Sequence, residues 1–343
     1  MMTKVLSLSV LVVIIVGTFI ATMNQKKAVS ITPEITFENP RKVYVGVWVG
    51  GFYDNDTKKL NTEVVTNFEK QIDKKMAIAN IYSEWSYLQN KDLLTVLNKI
   101  SDNGWVPMIS SNPYFFEGCK PRKDSLYKTI ASGACDEFLQ NVASNLRSYN
   151  KPVMLRFAWE MNLPDMYWSV DKLKSNPEEF VGAWRHFHTV LKEENADNVV
   201  WVLSFNTSSA NTIPYAQLYP GDEYVDWVAI DGYNWGVGPP WGGWTNFNGV
   251  FVKSYKELTA ITKKPVMLSE VNSAERGGNK AEWLTDMLEI QIPQNYPQIE
   301  AIIFFNENKT EGEKVDWRID KSPEYSDAVK KGLNTSLYRS SFP

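Results

Sequence analysis

Eight runs of apolar residues recur through this chain with amphipathic segments between them, and this alternation restricts its folds more than any single motif does. The runs are VYVGVWVGGF (43–52), MAIANIYSEW (76–85), WVPMISSNPY (105–114), PVMLRFAWEMN (152–162), VVWVLSFN (199–206), VDWVAIDGYNW (225–235), PVMLSEVN (265–272) and IEAIIFFNEN (299–308). They are too apolar for strands with one wet face, so they are expected to be covered on both sides. Between them, DEFLQNVASNLRSY (136–149) sets Phe138, Leu139, Val142 and Leu146 at helical spacing. Asn176, Pro177 and Glu179 mark a capped start for a helix to about Lys192, and KAEWLTDMLEI (280–290) is a further helical pattern. Eight buried strands alternating with helices predict a (β/α)8 barrel over residues 43–343. A doubly wound open sheet is the alternative, but no glycine-rich phosphate loop follows the first strand. Residues after about 320 are expected to supply the last helix and a short end piece.

The N-terminus is different in kind. Lys4 precedes an uncharged run from Val5 to Met23, and Lys26 and Lys27 follow it. A run without a polar face reads as a signal peptide or membrane anchor (1–27), with a linker at 28–42 containing Pro33 and Pro40. The expected location is therefore extracellular or at the cell surface, secreted or held to a membrane through residues 5–23. In that compartment Cys119 and Cys135, the only cysteines, are expected to pair. Four sequons, at Asn55, Asn206, Asn308 and Asn334, are too short a pattern to establish glycosylation. The formal charge of −4 leaves no basic footprint, so nucleic acid is not an expected partner. His186 and His188 lie two apart in a predicted helix and face different sides, so they are no helical metal pair. Neither a metal nor a cofactor is expected, and the chain is expected to be a monomer.

In a barrel of this type the chemistry sits at the C-terminal strand ends. Glu160 ends the fourth run and Glu270 the seventh. Alternation along a strand predicts that Arg156 and Ala158 point inward with Glu160, and Val266 and Leu268 with Glu270. Two carboxylates at one mouth suit glycoside hydrolysis, one protonated to serve the leaving oxygen and one ionised to attack the sugar carbon. A salt bridge to Arg156 is the competing use for either glutamate. Asp231 and Tyr233 share a parity on the sixth run, and Tyr233 is placed to donate to the ionised glutamate. The loop WGVGPPWGGW (235–244), starting at Trp235, and Tyr167 and Trp168 after the fourth run offer flat rings for sugar faces. Asn306 and Asn308 end the eighth run with amides suited to hydroxyls, and Glu84 is a third carboxylate without an assigned role.

The segments LRFAWEMN, YPGDEYVDWVAIDGYNWG, KPVMLSEVNSAERGGNKAEWL and FFNENK…VDWRIDKSP, in this order, resemble the motifs of glycoside hydrolase family 26, retaining glycosidases of clan A. The resemblance runs from about Tyr44 to about Pro323. It implies an endo-acting hydrolase of β-1,4-linked polysaccharide, β-mannan first, with mixed-linkage β-glucan or xylan as alternatives. It also implies Glu160 as acid/base, Glu270 as nucleophile, and Tyr233, Trp168 and Trp235 around the sugar. Where many members carry a histidine before the acid/base, this chain has Trp159. An indole donates one bond and is bulkier than imidazole, which fits a different subsite shape or backbone sugar. A protein that binds glycan and cleaves it poorly is the other reading of that difference, and the N-terminal segment leaves room for a membrane-anchored exopolysaccharide-accessory protein.

Overall fold

The computed structural model describes residues 41–120 and 124–343. The expected signal or anchor lies outside them, as does the expected linker up to residue 40. All eight expected strands form: β1 (Val43–Val49), β2 (Ile78–Glu84), β3 (Val106–Asn112), β4 (Val153–Phe157), β5 (Val199–Asn206), β6 (Trp227–Asn234), β7 (Val266–Ser273) and β8 (Ile299–Asn306). They lie parallel in chain order, and β8 pairs with β1 from Tyr44↔Ala301 to Val49↔Asn306. That pairing closes the sheet into the (β/α)8 barrel that the alternation of runs predicts.

The helices between strands begin where the sequence supplies a cap. Asn176 Oδ1 accepts from Glu179 N at 2.8 Å and Pro177 occupies the first turn of Pro177–Glu193. The helix Asp136–Tyr149 has the predicted bounds. The third pattern departs from expectation: an α-helix Lys280–Thr285 widens into a π-helical stretch, Asp286–Asn295, containing Pro293. Proline lacks the N–H that an α-ladder needs and its ring crowds the carbonyl four residues back, so the helix cannot run on in α geometry. The helix Pro323–Leu333 and a short strand, Tyr338–Arg339, beside the start of β1 complete the chain.

Two apolar clusters follow from the pleat. Tyr44, Ile78, Met108, Met154, Val202, Ala229, Met267 and Ile303 fill the barrel interior. The opposite strand faces, such as Val45, Leu155, Phe157 and Leu203, join Phe68, Leu146 and Phe187 of the helices in a second cluster. Gly46 is required where β1 approaches its neighbours, since a Cβ there would lie 2.5 Å from Ile303 Cδ1 and 2.8 Å from the Ile78 carbonyl oxygen. Cys119 and Cys135 are joined in a disulfide with Cα atoms 4.8 Å apart, tying the loop after β3 to the start of the helix Asp136–Tyr149.

Candidate active site

Above the apolar filling, the inward face turns polar while remaining buried. Arg156 on β4 is fully buried and bridges Glu270, from Nη1 to Oε1 at 2.8 Å, and Asp231. Its Nη1 also reaches Ser110 at 2.9 Å, which in turn donates to Asn80 at 2.8 Å. Asp231 accepts from Ser204 at 3.0 Å and Ser269 at 2.6 Å. Burial pulls down the proton affinity of Arg156, but Asp231 and Glu270 beside it win, so the guanidinium stays charged. Burial, opposed by Arg156 and aided by Glu270, lifts Asp231 to about 7.

Glu270 sits on this floor with its carboxylate held from three sides. Tyr82 donates to Oε1 at 2.5 Å, Arg156 donates to the same oxygen, and Tyr233 donates to Oε2. Three donors on one carboxylate match an acceptor-only, ionised group. Both phenols are pushed well above their ordinary range, by burial first and then by the Glu270 charge, so they remain donors. Glu160 has different surroundings. Asn206 Nδ2 donates to its Oε1 at 2.6 Å. Its carboxyl is raised well above the usual range by burial and then by the negative charges of Asp231 and Glu270. One carboxylate oxygen from each of Glu160, Asp231 and Glu270 lies within 4.8 Å of the others. These three are the donor set a cation would use, but Arg156 already sets a fixed positive charge against two of them.

Both glutamates reach the mouth by routes other than simple alternation. In β7 the register with β6 shifts after Ile230↔Leu268, so that Asp231 pairs with Glu270 and Ser269 is extra. Val266 and Leu268 therefore belong to the outer cluster, and Met267 and Ser269 face inward. A bulge of one residue reverses the side of the pleat, and Glu270 faces the mouth because of it. In β4 the strand ends at Phe157, and Ala158 lies in the outer cluster instead of pointing inward with Arg156. Ala158 and Glu160 have φ of 50° and 55°, the left-handed region that side chains avoid, and this local turn aims Glu160.

The glutamates share a cleft of about 530 Å³. Trp159, Trp168, Leu163, Met166 and Tyr167 wall it on the β4 side; Tyr233 and Trp235 wall it from β6. Trp159 and Trp168 have ring centres 4.3 Å apart, and the Trp168 indole donates to the Trp159 carbonyl at 2.5 Å. The other two tryptophans of the 235–244 loop do not line this cleft: Trp241 is exposed, and Trp244 covers Gly278, where a Cβ would meet its ring at 2.1 Å. Asn306 is also away from the cleft. Its amide donates to Asp320 at 2.9 Å and its carbonyl accepts from Ile319 N at 2.6 Å, so it ties the loop after β8. Glu84 is exposed and faces Lys58 at 3.5 Å. Sequence reasoning missed Tyr82, Asn206, Trp48, Asn112, Phe305, Glu307, Lys309 and Glu313, all of which line the cleft.

The family model for glycosyl hydrolase family 26 matches residues 124–310. Endoglucanase H of Acetivibrio thermocellus is 31% identical over 294 residues, 84% of this chain, while the chain spans 30% of that relative's length. A solved mannanase of Bacillus subtilis superposes with a TM-score of 0.60 at 19% identity, covering 88% of this chain and 87% of its own. A family 26 β-mannanase from Bacteroides ovatus gives 0.61 at 14% identity, over 88% of this chain and 90% of its own. A modular endo-β-1,4-mannanase from Cellulomonas fimi gives 0.62 at 12% identity, over 87% and 72%. At these identities the likeness to the solved structures is one of fold.

Proposed function

This chain belongs to glycosyl hydrolase family 26, and we propose that it is an exported endo-β-glucanase in which Glu160 is the acid/base and Glu270 the nucleophile. The observation that carries the reading is the convergence of two buried carboxyls with opposed surroundings. Glu160 is held in its protonated form by burial and neighbouring charge, and Glu270 is held by three donors. One oxygen of each lies within 4.8 Å of the other, which fits the ~5–5.5 Å carboxyl separation of retaining glycosidases better than the ~6.5–9.5 Å of inverting ones.

The chemistry follows from these positions. Glu160 gives its proton to the glycosidic oxygen as that bond breaks, and a Glu270 oxygen bonds to the anomeric carbon from the opposite face. Ester formation removes the Glu270 charge, which is one of the causes that raise Glu160. Glu160, now ionised, is then relieved of that repulsion and takes a proton from water, which attacks the anomeric carbon and releases Glu270. The product keeps the β configuration. Asn206 keeps the Glu160 oxygen oriented throughout; Asn162 accepts from its backbone N–H at 2.9 Å and Tyr215 donates to its carbonyl at 2.8 Å.

Glucan in place of mannan is supported by the relative with substantial identity, which is named an endoglucanase. Trp159, packed between Tyr82 and Trp168, adds a flat apolar wall that suits a sugar with equatorial hydroxyls. The apolar run at 5–23 and the disulfide support export, where a polymer too large to enter a cell is met. The test is reducing-end release from β-glucan containing 1,4-linkages, β-mannan and xylan, with Glu270→Ala beside the parent. The reading predicts that the parent cleaves glucan best and that the variant falls to background. Preference for mannan would overturn the substrate, and a folded parent that cleaves none of the three would overturn the reaction.

A further inference from the structure

The end of the cleft away from Glu160 carries a charged wall that the two-carboxyl reaction does not use. Inward parity on β8 runs through Ala301, Ile303 and Phe305 and continues past the strand end to Glu307 and Lys309. Glu307 Oε2 accepts from the Trp48 indole at 3.1 Å. Glu313 is held likewise, accepting from the Trp317 indole at 3.0 Å and pairing with Lys309 at 3.1 Å. Lys309 thus offsets the charge of Glu313, while Glu307 has no ion-pair partner among the described residues. Lys309 also feels the charge of Glu307, so the three groups sum to one net negative charge, with the Glu307 carboxylate fixed in direction by an indole.

Its place in the fold says which part of a substrate meets it. In a closed eight-stranded barrel β4 and β8 are opposite. Glu160 on the β4 side must stand by the leaving group, so the chain beyond that side is the aglycone. The sugars on the other side of the scissile bond then run toward β8 and β1, over Trp48 and Glu307. We propose that Glu307, held by Trp48, is a specificity-determining residue of the glycone side that accepts hydrogen bonds from a neutral sugar and turns away one bearing an anionic group. The inference rests on the endoglycanase reading. Sugar hydroxyls donate, and a bond from a donor to a carboxylate is about twice as strong as one between neutral groups. An anionic substituent at the same place meets an unpaired like charge in a half-buried setting, the kind of mismatch by which sites exclude a competitor.

A competing role is purely structural: the Trp48–Glu307 bond fastens the segment after β8 to β1. Substrate preference separates the two. The full chain, Glu307→Gln and Trp48→Phe are assayed for kcat and KM on a neutral β-glucan and on the same glucan lightly carboxymethylated, with Tm measured alongside. If mannan is the polymer cleaved, the matched pair is made from mannan. The parent is expected to favour the neutral polymer by about tenfold or more in kcat/KM, from one like-charge contact of ~1.4 kcal/mol. Glu307→Gln should lower kcat/KM on the neutral polymer by roughly tenfold, mainly through KM, and narrow the gap between the two polymers. Trp48→Phe should shift the ratio in the same direction by less, because the carboxylate remains but is no longer held. A parent indifferent to carboxymethylation, or a Glu307→Gln ratio equal to the parent's, overturns the proposal and leaves the endoglycanase reading standing. A parent that cleaves no polymer overturns both.

Discussion

Glu160 illustrates how much one side chain demands of its surroundings. It stands at φ 55°, two residues after Ala158 at φ 50°, and such left-handed positions cost roughly 1–3 kcal/mol each for residues with a Cβ. The strain is offset by what it accomplishes: the carboxyl enters a buried site beside two other acids, where its proton is retained. The pH consequence has a definite sign. The acid works only while protonated, and burial and the neighbouring charges raise its proton affinity, so the alkaline fall of kcat/KM should lie above the ordinary carboxylate range, where pH rises through the Glu160 titration. On an aryl β-glycoside whose leaving group needs no proton, Glu160→Ala should lose this alkaline limb, and azide should restore its turnover. An alkaline limb unchanged in the variant would assign the titration to another group. That Glu160 would matter was legible in the sequence, because a carboxylate closes an apolar run; its partner Asn206 also closes one, but an amide there carries no charge to mark it.

At the level of elements, apolar runs and capped helices were readable because burial on both faces leaves a dense signal over several residues. The failures lie at strand ends. The extra Ser269 in β7 reverses the facing of Glu270, and no local composition marks such a bulge. Parity applied to the remaining strands would have recovered more: Trp48 follows Tyr44 and Gly46, Tyr82 follows Ile78 and Asn80, and Asn112 follows Met108 and Ser110 on the inward face. Asn306 failed because it falls one residue out of this phase on β8. The outward face has its own test in Phe157, fully buried with ring centres 5.8 Å from Trp85 and 5.2 Å from Phe187. Phe157→Ala should lower unfolding stability in urea by about 3–5 kcal/mol through the cavity it leaves. A loss below about 1 kcal/mol would mean that the site collapses freely and that β4 is not anchored there.

For the molecule as a whole, closure of the barrel turns eight separate strand ends into one rim. Glu160 and Glu270 are 110 residues apart in sequence, and β4 and β7 become neighbours of one cleft only when β8 meets β1. Fold class was legible because it depends on the number and period of the runs. The cleft walls were less so, since Tyr167 and Glu313 come from loops after two different strands, and their meeting with Trp48 of β1 depends on loop path. The central claim is geometric: two carboxyls this close leave room for a covalent bond from Glu270 to the sugar but not for a water molecule between Glu270 and the sugar. It is tested most directly by proton NMR of the first product anomer released from a β-linked oligosaccharide, recorded before mutarotation. The account predicts the β-anomer first, relaxing slowly to the α/β mixture. An α-anomer formed first would show inversion and would contradict the assignment of Glu270 as nucleophile.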